Sequence, residues 1–145
     1  IKPKTDAAFL FALIHRMICE RDWRETCDVR SLQEDTTSPY LVGPNGYYMR
    51  DFVTGKPLVK DLSDGTAKAW DEKIGDAALE GFHIVSGAEE GADGESWDHH
   101  DVEAKPAFQL LIDHMQKFDP DWAELECDVP AETINLEASS NVISK

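Results

Sequence analysis

Cysteine is scarce, cationic side chains are outnumbered and no long apolar run occurs, and each shortage removes a class of function. The 145-residue chain has three cysteines, Cys19, Cys27 and Cys127. An odd number leaves no fully paired disulfide framework, and the spacing matches neither a Cys-x-x-Cys redox pair nor an iron–sulfur ligand run. They read as small packed hydrophobes, with a Cys19–Cys27 bridge as the alternative. Lys and Arg total 14 against 29 Asp and Glu, a net charge of −15. A nucleic-acid surface needs clustered positive charge to release counterions, so nucleic acid is not expected as a partner. No apolar stretch reaches the roughly 20 residues of a membrane span, which argues against direct membrane insertion. No Met opens the chain and no leader-like segment precedes its first helix. The expectation is a soluble segment of a longer protein, with periplasm and cytoplasm both open.

Reaction motifs are also missing. GPNG and SGAEEGADG carry glycines but match neither dinucleotide-binding nor P-loop spacing. No Ser or Cys sits in a nucleophile elbow. SDGTAKAWDEK, residues 63–73, has a calcium-loop look that fails on register. With Gly65 at position six, Lys60 takes the first ligand place and Asp71 the last, where an EF-hand needs an acid and a Glu. In WDHHD, His99 and His100 lie among Asp98 and Asp101. Neighbouring side chains of an extended chain point to opposite sides, so solvated residues are the plainer reading than a metal site. His15, inside an apolar run, reads as a core histidine. Glu89–Glu90 and Asp119–Asp121 read as solvated charge rather than an acid and base pair. No catalytic residue and no metal ligand is assigned.

What is present is 41% hydrophobic residues, enough for the core of one ordinary domain. AAFLFALIHRMI, residues 7–18, predicts a helix apolar around most of its circumference and therefore mostly buried. Asp22 is expected to cap a turn at Trp23. Asn45–Gly46 and Thr54–Gly55 mark turns flanking YLV, YYMRDF and Leu58–Val59, a small hairpin or meander. GFHIV extends. Residues 86–103 hold seven acidic residues and no Lys or Arg, which predicts an acidic flexible loop. AKPAFQLLIDHMQKF restarts a helix with Phe108, Leu111, Ile112 and Met115 facing the core. Asp119 and Pro120 open another, and Asp128 precedes a proline-led turn.

The stretch that stands out is Lys4–Thr5–Asp6, at the start of the first helix. Lys4 and the early helix amides favour an anion, the Thr5 hydroxyl can donate and accept, and Asp6 can take two hydrogen bonds from a base edge. From the residues alone, helix capping by Thr5 or Asp6 and contact with a nucleotide or cofactor both stand.

Six segments in order, IKPKTDAAFLFALIH, TSPYLVGPNGYYMRD, TGKPLV, ALEGFHIV, KPAFQLLIDHMQKFDPDWA and DVPAETI, resemble an internal part of the catalytic subunit of the molybdopterin oxidoreductases related to dimethyl sulfoxide reductase. The resemblance covers most of the chain. It implies an α/β fold, a partial Rossmann-like domain with added helices and a small β excursion. It also implies a molybdenum or tungsten bis-molybdopterin guanine dinucleotide cofactor, with an iron–sulfur cluster elsewhere in the full-length protein. On this resemblance residues 1–145 are a fragment of the catalytic domain. The loop matching KPKTD places Lys4, Thr5 and Asp6 at the guanine-dinucleotide part. Many relatives carry Gly or Gln where this chain has Lys4. The full-length protein would be a two-electron oxidoreductase acting on a small redox substrate. Its partners would be the remainder of the same catalytic subunit and an electron-transfer subunit. The isolated segment would be inactive. The alternative is a noncatalytic structural or protein-interaction domain.

Overall fold

The computed structural model describes residues 2–90 and 97–140, with side chains described for 2–86 and 101–135. In chain order the elements are α1 (Asp6–His15), a π-helical turn (Arg16–Glu20), α2 (Trp23–Thr26), α3 (Val29–Glu34), β1 (Leu41–Val42), β2 (Leu58–Lys60), β3 (Ala67–Ala69), β4 (His83–Glu90), β5 (Trp97–Pro106), α4 (Ala107–Met115), α5 (Pro120–Cys127) and α6 (Ala131–Ser140). They divide into two compact units, Ile1–Asp28 with Leu111–Lys145, and Val29–Leu110.

The first unit is helical. Ala8 and Ala12 of α1 meet Ala123 and Cys127 of α5 and Ile134 of α6, with Val129 in the same cluster. Small side chains on two facing helices let the backbones approach closely, and α1 accordingly packs along α5 and α6. Only Ala8, Ala12 and His15 of α1 are buried and Leu10 is 54% exposed, so this all-round apolar helix is less buried than its composition predicts. Phe118 gathers the aromatics, with Phe11 at 4.9 Å and Trp122 at 4.8 Å between ring centroids. Two of the caps read from sequence are present: Asp22 accepts from Arg24 N at 3.0 Å and Asp119 from Trp122 N at 2.7 Å, with Pro120 opening α5. Asp128 ends α5 in the left-handed conformation.

The second unit corrects the expected Rossmann-like architecture. Its described strands form two small antiparallel sheets, β1-β5-β4 and β2-β3, and none of the described strand pairs is parallel. A parallel sheet needs a long crossover, usually a helix, between successive strands. Here β2 and β3 are separated by a six-residue turn, residues 61–66, and β4 pairs antiparallel with β5, the next strand in the sequence. Within the stretch read as an acidic loop, 86–90 and 97–103 are paired strand, while 91–96 lie outside the described residues. Leu41, Met49, Leu58, Val85 and Ala104 form a core cluster in this unit. Pro106 closes β5 and is not part of the first turn of α4.

A buried carboxylate organises the β2–β3 hairpin. Asp61 is 0% exposed and accepts from Lys68 Nζ at 2.7 Å, Ser63 N at 3.0 Å, Ser63 Oγ at 2.6 Å, Gly75 N at 2.9 Å and Asp76 N at 3.1 Å. Lys68 Nζ also lies 2.5 Å from Asp64 Oδ2. The Lys68 ammonium, then the Ser63 hydroxyl and the Gly75 amide, hold the Asp61 carboxyl far below its ordinary 3.8 despite burial. Lys68 likewise depresses Asp64, and the two carboxylates raise Lys68 in return.

Two outcomes follow from this knot. Because the folded-state value of Asp61 lies below the unfolded 3.8, its stabilisation is complete above that value and is lost as pH falls through and beneath it. Thermal melts between about pH 5 and pH 2 should show the melting temperature of the native chain falling more steeply than that of Asp61→Asn, whose slope lacks this proton uptake. A Cβ at Gly75 would meet Ser63 Oγ at 2.5 Å and Ser63 Cβ at 3.0 Å. Gly75→Ala should therefore lower the melting temperature by on the order of 5–10 °C, read by circular dichroism.

Candidate functional site

The loop before α1 is built by its own backbone. Lys4 has φ 70, the left-handed region that glycine favours. This turn brings Thr5 back on Lys2: Thr5 Oγ1 donates to Lys2 O at 2.6 Å and Thr5 N at 3.3 Å. Lys2 N in turn donates to Cys127 O at 2.9 Å, which fastens the loop to the end of α5. Thr5 occupies the N-cap position yet makes no side-chain cap bond; its hydroxyl donates to Lys2 O instead. Capping by the Thr5 side chain is thus absent, and the Ala8 amide of the first turn donates to Thr5 O at 3.0 Å. A helix start leaves its first amides without intrahelical acceptors, and they favour negative charge. Asp6 stands exposed in the first turn of α1, and Lys4 is exposed beside it in sequence. The three residues singled out in the sequence are consecutive at the start of α1, Lys4 and Asp6 exposed and Thr5 half-buried. They offer an ammonium, a hydroxyl oxygen that can still accept, and a carboxylate with room for two donors.

A second polar group lies at the other end of α1. His15 is buried, and its Nδ1 is 2.7 Å from Met115 O. A carbonyl oxygen only accepts, so the ring donates from Nδ1. Met115 O also receives Phe118 N at 3.0 Å, and His15 thus helps close the C-terminal end of α4. His15 Nε2 lies 3.4 Å from Glu20 Oε1, while Glu20 Oε2 pairs with Arg16 across the π-helical turn. A cavity of about 320 Å³ opens beside them, lined also by Asp119, Asp121 and Asn135. Arg16 Nε is buried with no hydrogen-bond partner among the described residues. The sequence reading of His15 as a core histidine agrees with its burial and its carbonyl partner.

The remaining candidates separate. Cys19, Cys27 and Cys127 are free thiols. Burial pushes the Cys19 thiol up, and its Sγ faces Ile112 O at 3.6 Å, a packed and unreactive setting. His99 and His100 fall on β5, but their side chains lie outside the described residues, as does the Glu89–Glu90 pair. Among the described residues no group of three or more His, Cys, Asp or Glu could hold a metal ion. No described helix is long and apolar enough to cross a membrane. The Asp61–Lys68 knot was missed from the sequence. Its signal was an Asp directly ending the buried pair Leu58–Val59 and Lys60, followed seven residues later by a lysine on the returning strand.

No protein-family model matches the chain, and no curated protein matches it.

Replacing His15 by Phe removes one donor from Met115 O while Phe118 N remains. The expected cost is about 1 kcal/mol, read from chemical denaturation, and His15→Gln, which keeps an N–H donor, should recover part of it.

Proposed function

We propose that this chain supports the guanine-dinucleotide part of a bis-pterin molybdenum or tungsten cofactor within a larger two-electron oxidoreductase. The observation that carries the reading is the left-handed backbone at Lys4, φ 70, at the position where many of the resembling enzymes have Gly or Gln. Glycine favours this conformation, so the positive φ at Lys4 supports the match to the Gly-bearing relatives. The residues present fit the group. The exposed Asp6 carboxylate can accept the two N–H donors on one edge of guanine, and the Lys4 ammonium suits a phosphate. Thr5 keeps its hydroxyl proton on Lys2 O, so toward a ligand it acts as an acceptor.

When bound, the metal and its dithiolene sulfurs supply the two-electron chemistry. The part of this chain is to hold the nucleotide tail. The loop is fixed at Lys2 to the end of α5, and the Ala8 and Ala12 face of α1 anchors it to a helical core. The substrate, the direct metal ligand and the electron partner belong to the rest of the proposed enzyme.

In the full-length product, purified protein should contain molybdenum or tungsten together with a guanine-bearing pterin. Asp6→Ala should weaken cofactor retention about tenfold or more, the scale of a lost hydrogen bond to a charged group, with the circular dichroism spectrum unchanged. Retention equal to that of the native protein would remove Asp6 from the site, and purified protein free of both metal and pterin would end the reading.

A further inference from the structure

Trp70 is 49% exposed although its backbone is firmly mounted. Its amide donates to Pro57 O at 3.0 Å, and the preceding Ala69 N is held by Glu72 Oε1 at 2.9 Å. A tryptophan fixed in place with half its surface uncovered presents an available π face. Tyr40 stands beside it, with ring centroids 6.5 Å apart and planes inclined by 45°. Tyr48 backs Tyr40 edge-on at 5.5 Å. Trp70 and Tyr40 line a cavity of about 220 Å³ together with buried Val59, half-buried Ile74 and the exposed Glu34 and Asp35, with Gln33, Thr36 and Thr37 as its neutral polar lining. Arg30 Nε holds Glu34 at 3.0 Å, which leaves Asp35 as the principal counter-charge of the lining.

The chemistry of this lining selects its ligand by elimination. Two carboxylates in a chain of net charge −15 disfavour phosphates and carboxylates. The apolar part of the lining disfavours bare metal ions, which surrender their hydration only to several oxygen ligands. A neutral ligand would leave the carboxylate charge unused. A cation whose charge is spread over methyl groups meets every requirement: it sheds water easily, packs on Val59 and Ile74, and presses against aromatic faces. At about 220 Å³ the cavity lies below the roughly 300–1,000 Å³ of drug-sized sites, so it suits a compact head group. We infer that this pocket binds a small quaternary ammonium group, held against Trp70 and Tyr40 with Asp35 as its counter-ion. The site is independent of the cofactor loop and stands whether or not that reading does.

The probe is choline, titrated into the 145-residue chain by NMR and compared with 3,3-dimethylbutan-1-ol, its uncharged isostere. Choline should shift the Trp70 indole and Tyr40 ring resonances saturably, and the isostere should bind about fivefold or more weakly. Asp35→Asn, an exposed change that leaves the core untouched, should weaken choline about two- to fivefold. Trp70→Ala should abolish the saturable shift at Tyr40. Equal affinity for the two probes, saturation without movement at Trp70 and Tyr40, or no saturation up to about 0.1 M choline would overturn the assignment.

Discussion

A carboxylate cut off from water must find all its hydrogen-bond donors inside the protein, and Asp61 does so by drawing the chain from Ser63 to Asp76 around itself. That demand shapes the second unit. Gly75 must lack a side chain because its backbone comes up against Ser63. Gly65 takes φ 76 because the six-residue turn must close within reach of Asp61 O, which Gly65 N meets at 2.9 Å. Lys68 must face the same way as Asp61 across the strand pair to bring its ammonium inward. With the hairpin fixed, Leu58 is held against Met49 and Leu41, Val59 pairs with Tyr40, and Trp70 is mounted at the end of β3. A buried ionic group of this kind is poor evidence for stability by itself, but here one side chain decides the path of some fifteen residues.

The helical unit solves a different problem by a different means. Where α1 meets α5 its core is made of alanines and one buried cysteine, with Ile134 and Val129 beside them, so close approach of backbones supplies much of the contact area. Such packing leaves the N-terminal end of α1 with little choice of position. The short loop before it is then held by Lys2 at the end of α5, and its exposed polar side chains are carried on a rigid base. Sites supported on fixed elements hold their geometry better than sites on free loops.

Much of the local chemistry was legible in the sequence. Asp22, Asp119 and Pro120 announced helix starts because capping is a short-range rule, and Asn45–Gly46 and Thr54–Gly55 announced turns for the same reason. The loop of Lys4, Thr5 and Asp6 was also visible, though not that Thr5 would turn its hydroxyl back to Lys2. What escaped depends on pairing at a distance. Ala67–Ala69 is too short and too rich in alanine to read as a strand, and it exists because Leu58–Lys60 and the Asp61 knot hold it. The Rossmann-like expectation failed at the same level, since antiparallel and parallel strands carry similar letters and differ in how they are connected. The long β4–β5 hairpin was hidden by acidic composition, which speaks of solvation and not of strand pairing.

The turn from Asp61 to Lys68 places two acidic oxygens and a cation where many proteins place a dissolved divalent ion. In this chain the cation is an ammonium tethered by its own side chain, 2.7 Å from Asp61 Oδ2 and 2.5 Å from Asp64 Oδ2. Its local concentration is set by covalent linkage and not by the surrounding medium. Dilution and chelation have no hold on it, and the hairpin keeps its counter-ion in any compartment in which the chain stays folded.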